Sequence, residues 1–259
     1  MRLIGLLLTV IVAGLISTPV YAHYLWLNVD NYYPKAGEEV TFSIGWGHKF
    51  PEDSQPRAEM VEKLNLYLIE PEGKKLALEI KAKGEEGVEP IKVKLGKPGT
   101  YLAVLTRATF SSKTTEGYFY KPKNQLKNVL KSSWSETVAK AVVTAGSPEG
   151  ETFKKEVKQR YQIIPLQNPA ELKVDDYLPV KILLDGKPYR TWVYATYAGF
   201  SAEGDTFAYT TRADKEGIAK VRILKSGVWL IKVSDEIPYP NPKEADNYSF
   251  KSTLTFEIK

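Results

Sequence analysis

His23 and His48 are the only two histidines in this 259-residue chain, and it contains no cysteine. That scarcity decides much of the available chemistry. Without thiols there are no disulfides, thiolate zinc sites, iron–sulfur ligands or cysteine nucleophiles. Two imidazoles cannot make a three-histidine catalytic zinc site, and they leave little from which to build a Ser-His-Asp triad. No GxxxxGK[ST] or GxGxxG segment is present, so no phosphate-cradling loop is expected. The 31 acidic residues offer many carboxylate pairs, but sequence does not place any two at catalytic separation.

The position of His23 gives it a second use. Residues 1–22 read MRLIGLLLTVIVAGLISTPVYA, with one positive charge, an apolar run and small residues at Val20 and Ala22, which is the pattern of a secretory signal peptide cut after Ala22. The apolar run is borderline in length for an uncleaved membrane anchor. Cleavage would leave His23 as the first residue of the mature chain. Its α-amine and ring Nδ1 can then close a six-membered chelate around one metal ion. The amine titrates at about 7.7–8.0 and imidazole at about 6.5, so both donors are available near neutral pH. Imidazole suits nickel, copper, zinc and iron.

His48 follows a strand in IGWGHKFP, where Gly45 and Gly47 permit close approach of another segment. If the strand starting at Leu25 meets the strand ending at Trp46, the two histidines converge and the donors are one amine and two imidazoles. That set resembles a histidine brace. The plainer alternative is one histidine that merely follows a cleavage site and one that caps a loop. Asp30, Glu52 and Asp53 are close enough in sequence to add oxygen ligands. Tyr24, Trp26, Tyr32, Tyr33 and Trp46 cluster in the same stretch, either as strand-borne core or as a binding platform.

The elements that must position these residues read as strands. Val40–Trp46, Leu64–Ile69, Ile91–Leu95, Thr100–Arg107, Leu178–Asp185, Thr191–Ala198, Ala219–Leu224, Val228–Val233 and Ser252–Ile258 are short alternating runs punctuated by Gly, Pro, Asn and Asp. The expected fold is all-β: two antiparallel β-sandwich domains, immunoglobulin-like or transthyretin-like, after a cleaved signal peptide. The first would span 23–145 and carry the metal site, and the second would span 161–259, with a polar boundary between. Asp185-Gly186 signals a hairpin into the Thr191 strand, and Pro98-Gly99 a turn. Residues 123–145 read as a loop with one short helix and then a strand at Ala139–Thr144. Thr210–Asp235 resembles the closing hairpin of transthyretin-like or carboxypeptidase-regulatory-like sandwiches, so the second domain reads as scaffold. The net charge is 36 − 31 = +5. The lysines are spread along strand faces, where they protect sheet edges, and no nucleic-acid partner is expected.

HYLWLNVDNYYPKAGEEVTFSIGWGHKFP (His23–Pro51) is similar to the start of a secreted bacterial domain-of-unknown-function family described as the periplasmic component of nickel or cobalt uptake systems. Its members begin with Ala-His, an aromatic strand, a Pro-x-x-Gly turn and a Gly-His-x-Phe-Pro segment. Ile163–Pro188 and Asn247–Ile258 resemble the family's second half, so the likeness covers nearly the whole mature chain. It implies His23 and His48 as ligands of a divalent transition metal, nickel or cobalt with copper as competitor. The signal peptide, with no other apolar stretch of membrane length after it, predicts a periplasmic or otherwise extracytoplasmic protein, soluble after signal cleavage, and the function expected first is metal capture for membrane metal transporter components, with no catalytic step. Two other functions stay open: an oxidative enzyme built on a copper-loaded brace, and a non-catalytic adhesion or ligand-binding module using some of the 16 tyrosines.

Overall fold

The computed structural model describes residues 23–85 and 87–259. The signal-peptide reading of 1–22 lies outside them. The first half of the chain supplies β1 (Tyr24–Val29), β2 (Glu39–Gly47), a one-turn α1 (Ala58–Val61), β3 (Leu64–Ile69), β4 (Lys75–Leu78), β5 (Ile91–Lys94), β6 (Gly99–Thr114), β7 (Gly117–Phe119) and β8 (Val129–Ala145). The second half supplies β9 (Tyr161–Pro165), β10 (Tyr177–Leu184), β11 (Lys187–Pro188), β12 (Trp192–Tyr197), β13 (Tyr209–Arg212), β14 (Ile218–Arg222), β15 (Gly227–Pro238) and β16 (Asn247–Ile258). The fold is an all-β sandwich. Among the described residues no helix is long and apolar enough to cross a membrane.

The strands form three layers. A nine-stranded sheet in the order β13-β12-β15-β16-β8-β6-β3-β4, with β7 added beside β6, lies in the middle. Side chains alternate across a strand, and here both sides are covered. Ala103, Leu105, Ala139 and Ala141 pack with Leu25, Leu27, Phe42 and Ile44 of the β1-β2-β5 sheet. Leu102, Val104, Val138 and Val142 pack on the opposite face with Ile163, Val180, Ile182 and Val221 of the sheet formed by β9, β10, β11 and β14. This two-sided burial explains why Thr137–Ala145 is a continuous buried run rather than an alternating one.

The two sandwiches therefore share their middle sheet. β8 and β16, placed by sequence in separate domains, pair with each other, and they do so in parallel. Residues 146–160 carry the chain from the middle sheet to the four-stranded one rather than between self-contained sandwiches. Other connections also differ from expectation. Asp185 and Gly186, both with positive φ, turn β10 into the two-residue β11, while β12 joins the middle sheet beside β15. β14 pairs with β10, and β15 pairs with β12 and β16, so this stretch is a corner between layers and not a closing hairpin. β8 begins ten residues before the strand read from sequence.

Among the described residues four charged side chains are buried: Arg107, Lys140, Lys232 and Lys251. Lys140 is buried on the lower face of the middle sheet, the one that meets β9, β10, β11 and β14 (the upper face meets β1, β2 and β5), where its Nζ donates to the Ile163 carbonyl at 3.1 Å and to Gln162 Oε1 at 3.4 Å. Burial lowers its pKa from 10.5 to about 7. On the upper face β16 offers hydroxyls to β1: Thr253 Oγ1 donates to the Leu25 carbonyl and Thr255 Oγ1 to the Leu27 carbonyl, both at 2.7 Å. These bonds fix β1 across the middle sheet.

Candidate metal centre

The register of β1 on β2 brings the histidines together. Tyr24 pairs with Gly47 and Leu25 with Trp46, so one further step along the ladder sets His23 against His48. Their ring centroids are 4.6 Å apart with a 47° tilt, and His23 lies 5.4 Å from the Trp46 ring. Two imidazole nitrogens at about 2.0–2.1 Å from one ion, at roughly 90–110° to each other, put their ring centroids about 4.5–5 Å apart. The observed separation fits a shared ion.

Small residues and one carboxylate shape the loop that holds His48. The Trp26 indole lies across Gly45, where a Cβ would collide with it, and its Nε1 donates to the Pro51 carbonyl at 3.1 Å. Gly47 has φ +153°, and a Cβ there would meet the Asp53 carboxylate. That carboxylate accepts from the backbone N–H groups of His48, Lys49 and Ser54 at 2.7, 2.9 and 2.8 Å. Burial raises the Asp53 pKa, but these three donors outweigh it and the net shift is downward. Asp53 thus folds the turn.

The remaining oxygen candidates lie elsewhere. Asp30 is beyond the far end of β1, where its Oδ1 accepts from the Thr41 N–H at 2.9 Å, about 23 Å along the strand from His23 at about 3.3 Å per residue. Glu52 is exposed in the turn. Of the aromatics, Tyr24 and Trp26 are fully buried with Phe50 and Leu230, so they are core.

An acid from the second half of the chain completes the setting. Asp205, in the loop between β12 and β13, places Oδ2 2.5 Å from His48 Nδ1 and donates its own N–H to the His48 carbonyl at 2.9 Å. Asp205 Oδ1 accepts from Lys232 Nζ at 2.9 Å. Lys232 lies 4.1 Å from the Tyr24 ring centroid, and Tyr24 Oη donates back to the His48 carbonyl at 3.1 Å. Burial lowers the Lys232 pKa and Asp205 opposes that shift. With the carboxylate accepting from Nδ1–H, His48 keeps Nε2 for a ligand, as in carboxylate–histidine–metal arrangements. The His23 pKa is lowered, first by burial and then by His48, while Asp53 and Asp205 act the other way. That favours the neutral, coordinating form.

Among the described residues no group of three or more His, Asp or Glu side chains is placed to hold a metal ion. The two imidazoles converge, and a third nitrogen comes only from the His23 α-amine. In the uncut chain that nitrogen is an amide. The donor set therefore fits a metal ion in a chain cut after Ala22 and is incomplete otherwise.

Sequence reading missed Asp205 and Lys232. One signal was available: in VWLIKV both faces of the strand are apolar, so its lysine must be buried on one of them and needs a carboxylate.

No curated protein matches the chain. Solved structures are similar at low identity. The D0-D1 domain of Intimin is 14% identical, with 90% of this chain and 97% of that one covered and a TM-score of 0.23. A DUF4785 family protein from Legionella pneumophila is 11% identical over 91% of this chain and 56% of its own, with a TM-score of 0.28. The fibronectin(III)-like modules of Clostridium thermocellum CbhA are 8% identical over 90% and 94%, with a TM-score of 0.23. A family model matches residues 20–236, which include both histidines, Asp205 and Lys232, and the chain belongs to that family, described as Domain of unknown function (DUF4198).

Proposed function

We propose that this protein binds a divalent transition metal, nickel or cobalt foremost, in an extracytoplasmic space and delivers it to a membrane uptake system. The observation that carries this reading is the 4.6 Å approach of the His23 and His48 rings, with His48 Nδ1 engaged by Asp205 so that Nε2 is kept for the ion. After cleavage at Ala22 the donors are the His23 amine, the His23 ring and the His48 ring. The metal is cargo, and three neutral nitrogens on one edge of a sandwich suit capture and release without any chemical step. Copper outranks nickel and cobalt for such ligands in the general affinity order, so the physiological metal is set by supply and by the receiving transporter.

The test is calorimetric titration of Ni(II), Co(II), Cu(II) and Zn(II) into two preparations, one beginning at His23 and one with an extra residue ahead of it. Tight binding restricted to the free His23 amine is expected. Equal binding by both would remove the amine from the site. No binding by either would leave a ligand-binding or adhesion module as the better reading.

A further inference from the structure

The upper face of the middle sheet carries cations directly beside the two histidines. The threonine contacts set the spacing: Thr255 reaches Leu27 and Thr253 reaches Leu25, and two residues further along β16 the same face presents Lys251, in line with His23. In the neighbouring strands Lys251 is level with Thr137, and Thr137 with Arg107. Two strand spacings put the Arg107 and Lys251 backbones about 10 Å apart on one face. Trp46 joins the two groups, since its ring lies 5.4 Å from His23 and 5.6 Å from the Arg107 guanidinium.

These cations lack counter-ions. Arg107 is 4% exposed, and its Nε and Nη2 are buried with no hydrogen-bond partner. Tyr120, with its ring 4.8 Å from the guanidinium, interacts with it both electrostatically and through a side-chain hydrogen bond, and Glu59 also bears on it. Lys251 is 7% exposed and donates to Ser249 Oγ at 3.0 Å. Glu236 is the acid that bears on Lys251, but it is engaged by Lys131 at 3.0 Å. Among the described residues neither Arg107 nor Lys251 forms a salt bridge, whereas Lys232, close by, has Asp205. Leaving charged donors buried and unmatched is costly. A guanidinium with free adjacent N–H groups is a fork shaped for a carboxylate.

We infer that Arg107 and Lys251 anchor the carboxylates of a small polycarboxylate ligand beside His23 and His48. The inference rests on the metal-binding reading for one feature only, the form of the cargo: the metal would arrive as a carboxylate chelate, with the ion on the histidines and its chelator on the cations. Tyr120, half-buried on the segment joining β7 to β8, packs its ring 4.8 Å from the guanidinium, and the ligand's carboxylate takes the unpartnered Nε and Nη2. Trp46 then forms the wall shared by the ion and the chelator.

Equilibrium dialysis of the chain beginning at His23 tests this with labelled citrate and, separately, labelled nickel. Citrate is expected to be retained one-to-one on nickel-loaded protein, and Arg107→Met and Lys251→Met are each expected to weaken its retention at least tenfold. Methionine fills similar volume without a charge, so both variants should fold, and Arg107→Met should unfold at a higher temperature than the parent. No retention of citrate, or equal retention by parent and variants, overturns the inference even when nickel binds. If nickel is not retained, the metal reading fails, and citrate on the metal-free protein decides the inference by the same comparison.

Discussion

Asp205 Oδ2 lies 2.5 Å from His48 Nδ1 across 157 residues of sequence, and its other oxygen holds the ammonium of Lys232, whose side chain is 4% exposed. One carboxylate thus orients an imidazole and neutralises a buried cation. Asp205→Ala is expected to weaken nickel binding about 10–100-fold. It should also lower folding stability by about 3–5 kcal/mol, because a buried ammonium loses its carboxylate. Calorimetry reads the first effect and denaturant unfolding the second. Unchanged nickel affinity in a folded variant would remove the orienting role.

Gly47 leaves room for the Asp53 carboxylate that gathers three backbone N–H groups around His48. Gly47→Ala must displace that carboxylate and strain a backbone with φ +153°, at a cost of about 1–3 kcal/mol. A lower melting temperature with weakened nickel binding is expected. A variant that melts with the parent would show that the turn forms without its carboxylate.

Lys140 makes stability depend on pH. Its pKa falls from 10.5 to about 7 on folding, through burial. Between those values the unfolded chain binds more protons than the folded one, so stability should rise as pH increases from 7 to 9.5. Lys251, lowered to about 8 by burial, adds to the same slope. Buried tyrosines such as Tyr24, whose pKa burial raises, reverse the trend above about 10, where only the unfolded chain ionises them. Lys140→Met is expected to flatten the rise and to stabilise the protein at pH 7 by about 1–4 kcal/mol. Urea unfolding at several pH values measures both, and an unchanged slope in the variant would assign the dependence to other groups.

The sequence displays strands well where one face is polar. Leu64–Ile69 was legible to the residue, and β2, β5, β10 and β12 to within one or two residues. It conceals β8, because a strand covered on both sides has no alternation to read, and its first half is a run of Ser, Thr and Trp that resembles a loop. The pairing of β8 with β16 is equally hidden, since parallel neighbours need no local turn. At the candidate site, the two histidines were legible from their spacing and from the cleavage pattern. Asp205 was not, because it is one acid in a polar loop 157 residues away. Arg107, Lys232 and Lys251 pass for solvated strand-face cations until the covering sheet is known.

Thr253 and Thr255 tie β1 to the middle sheet through single hydroxyl bonds to the Leu25 and Leu27 carbonyls. Thr253→Val leaves a buried carbonyl without that donor and is expected to cost about 1–3 kcal/mol. Faster amide exchange along β1 than in the parent should accompany the loss. Equal protection of β1 would mean that its pairing with β2 holds it alone.

The same two hydroxyls set a schedule for the site. They fix β1 from positions 228 residues later in the chain. At about 5–20 residues per second, a ribosome needs roughly 10–45 s to make that stretch. Until Asp205 is made, 157 residues after His48, the nascent chain carries both histidines without the acid that later engages His48, and the β16 hydroxyls follow later still. The contacts that hold β1 on the middle sheet and engage His48 are thus completed only when β16, the last strand, is made.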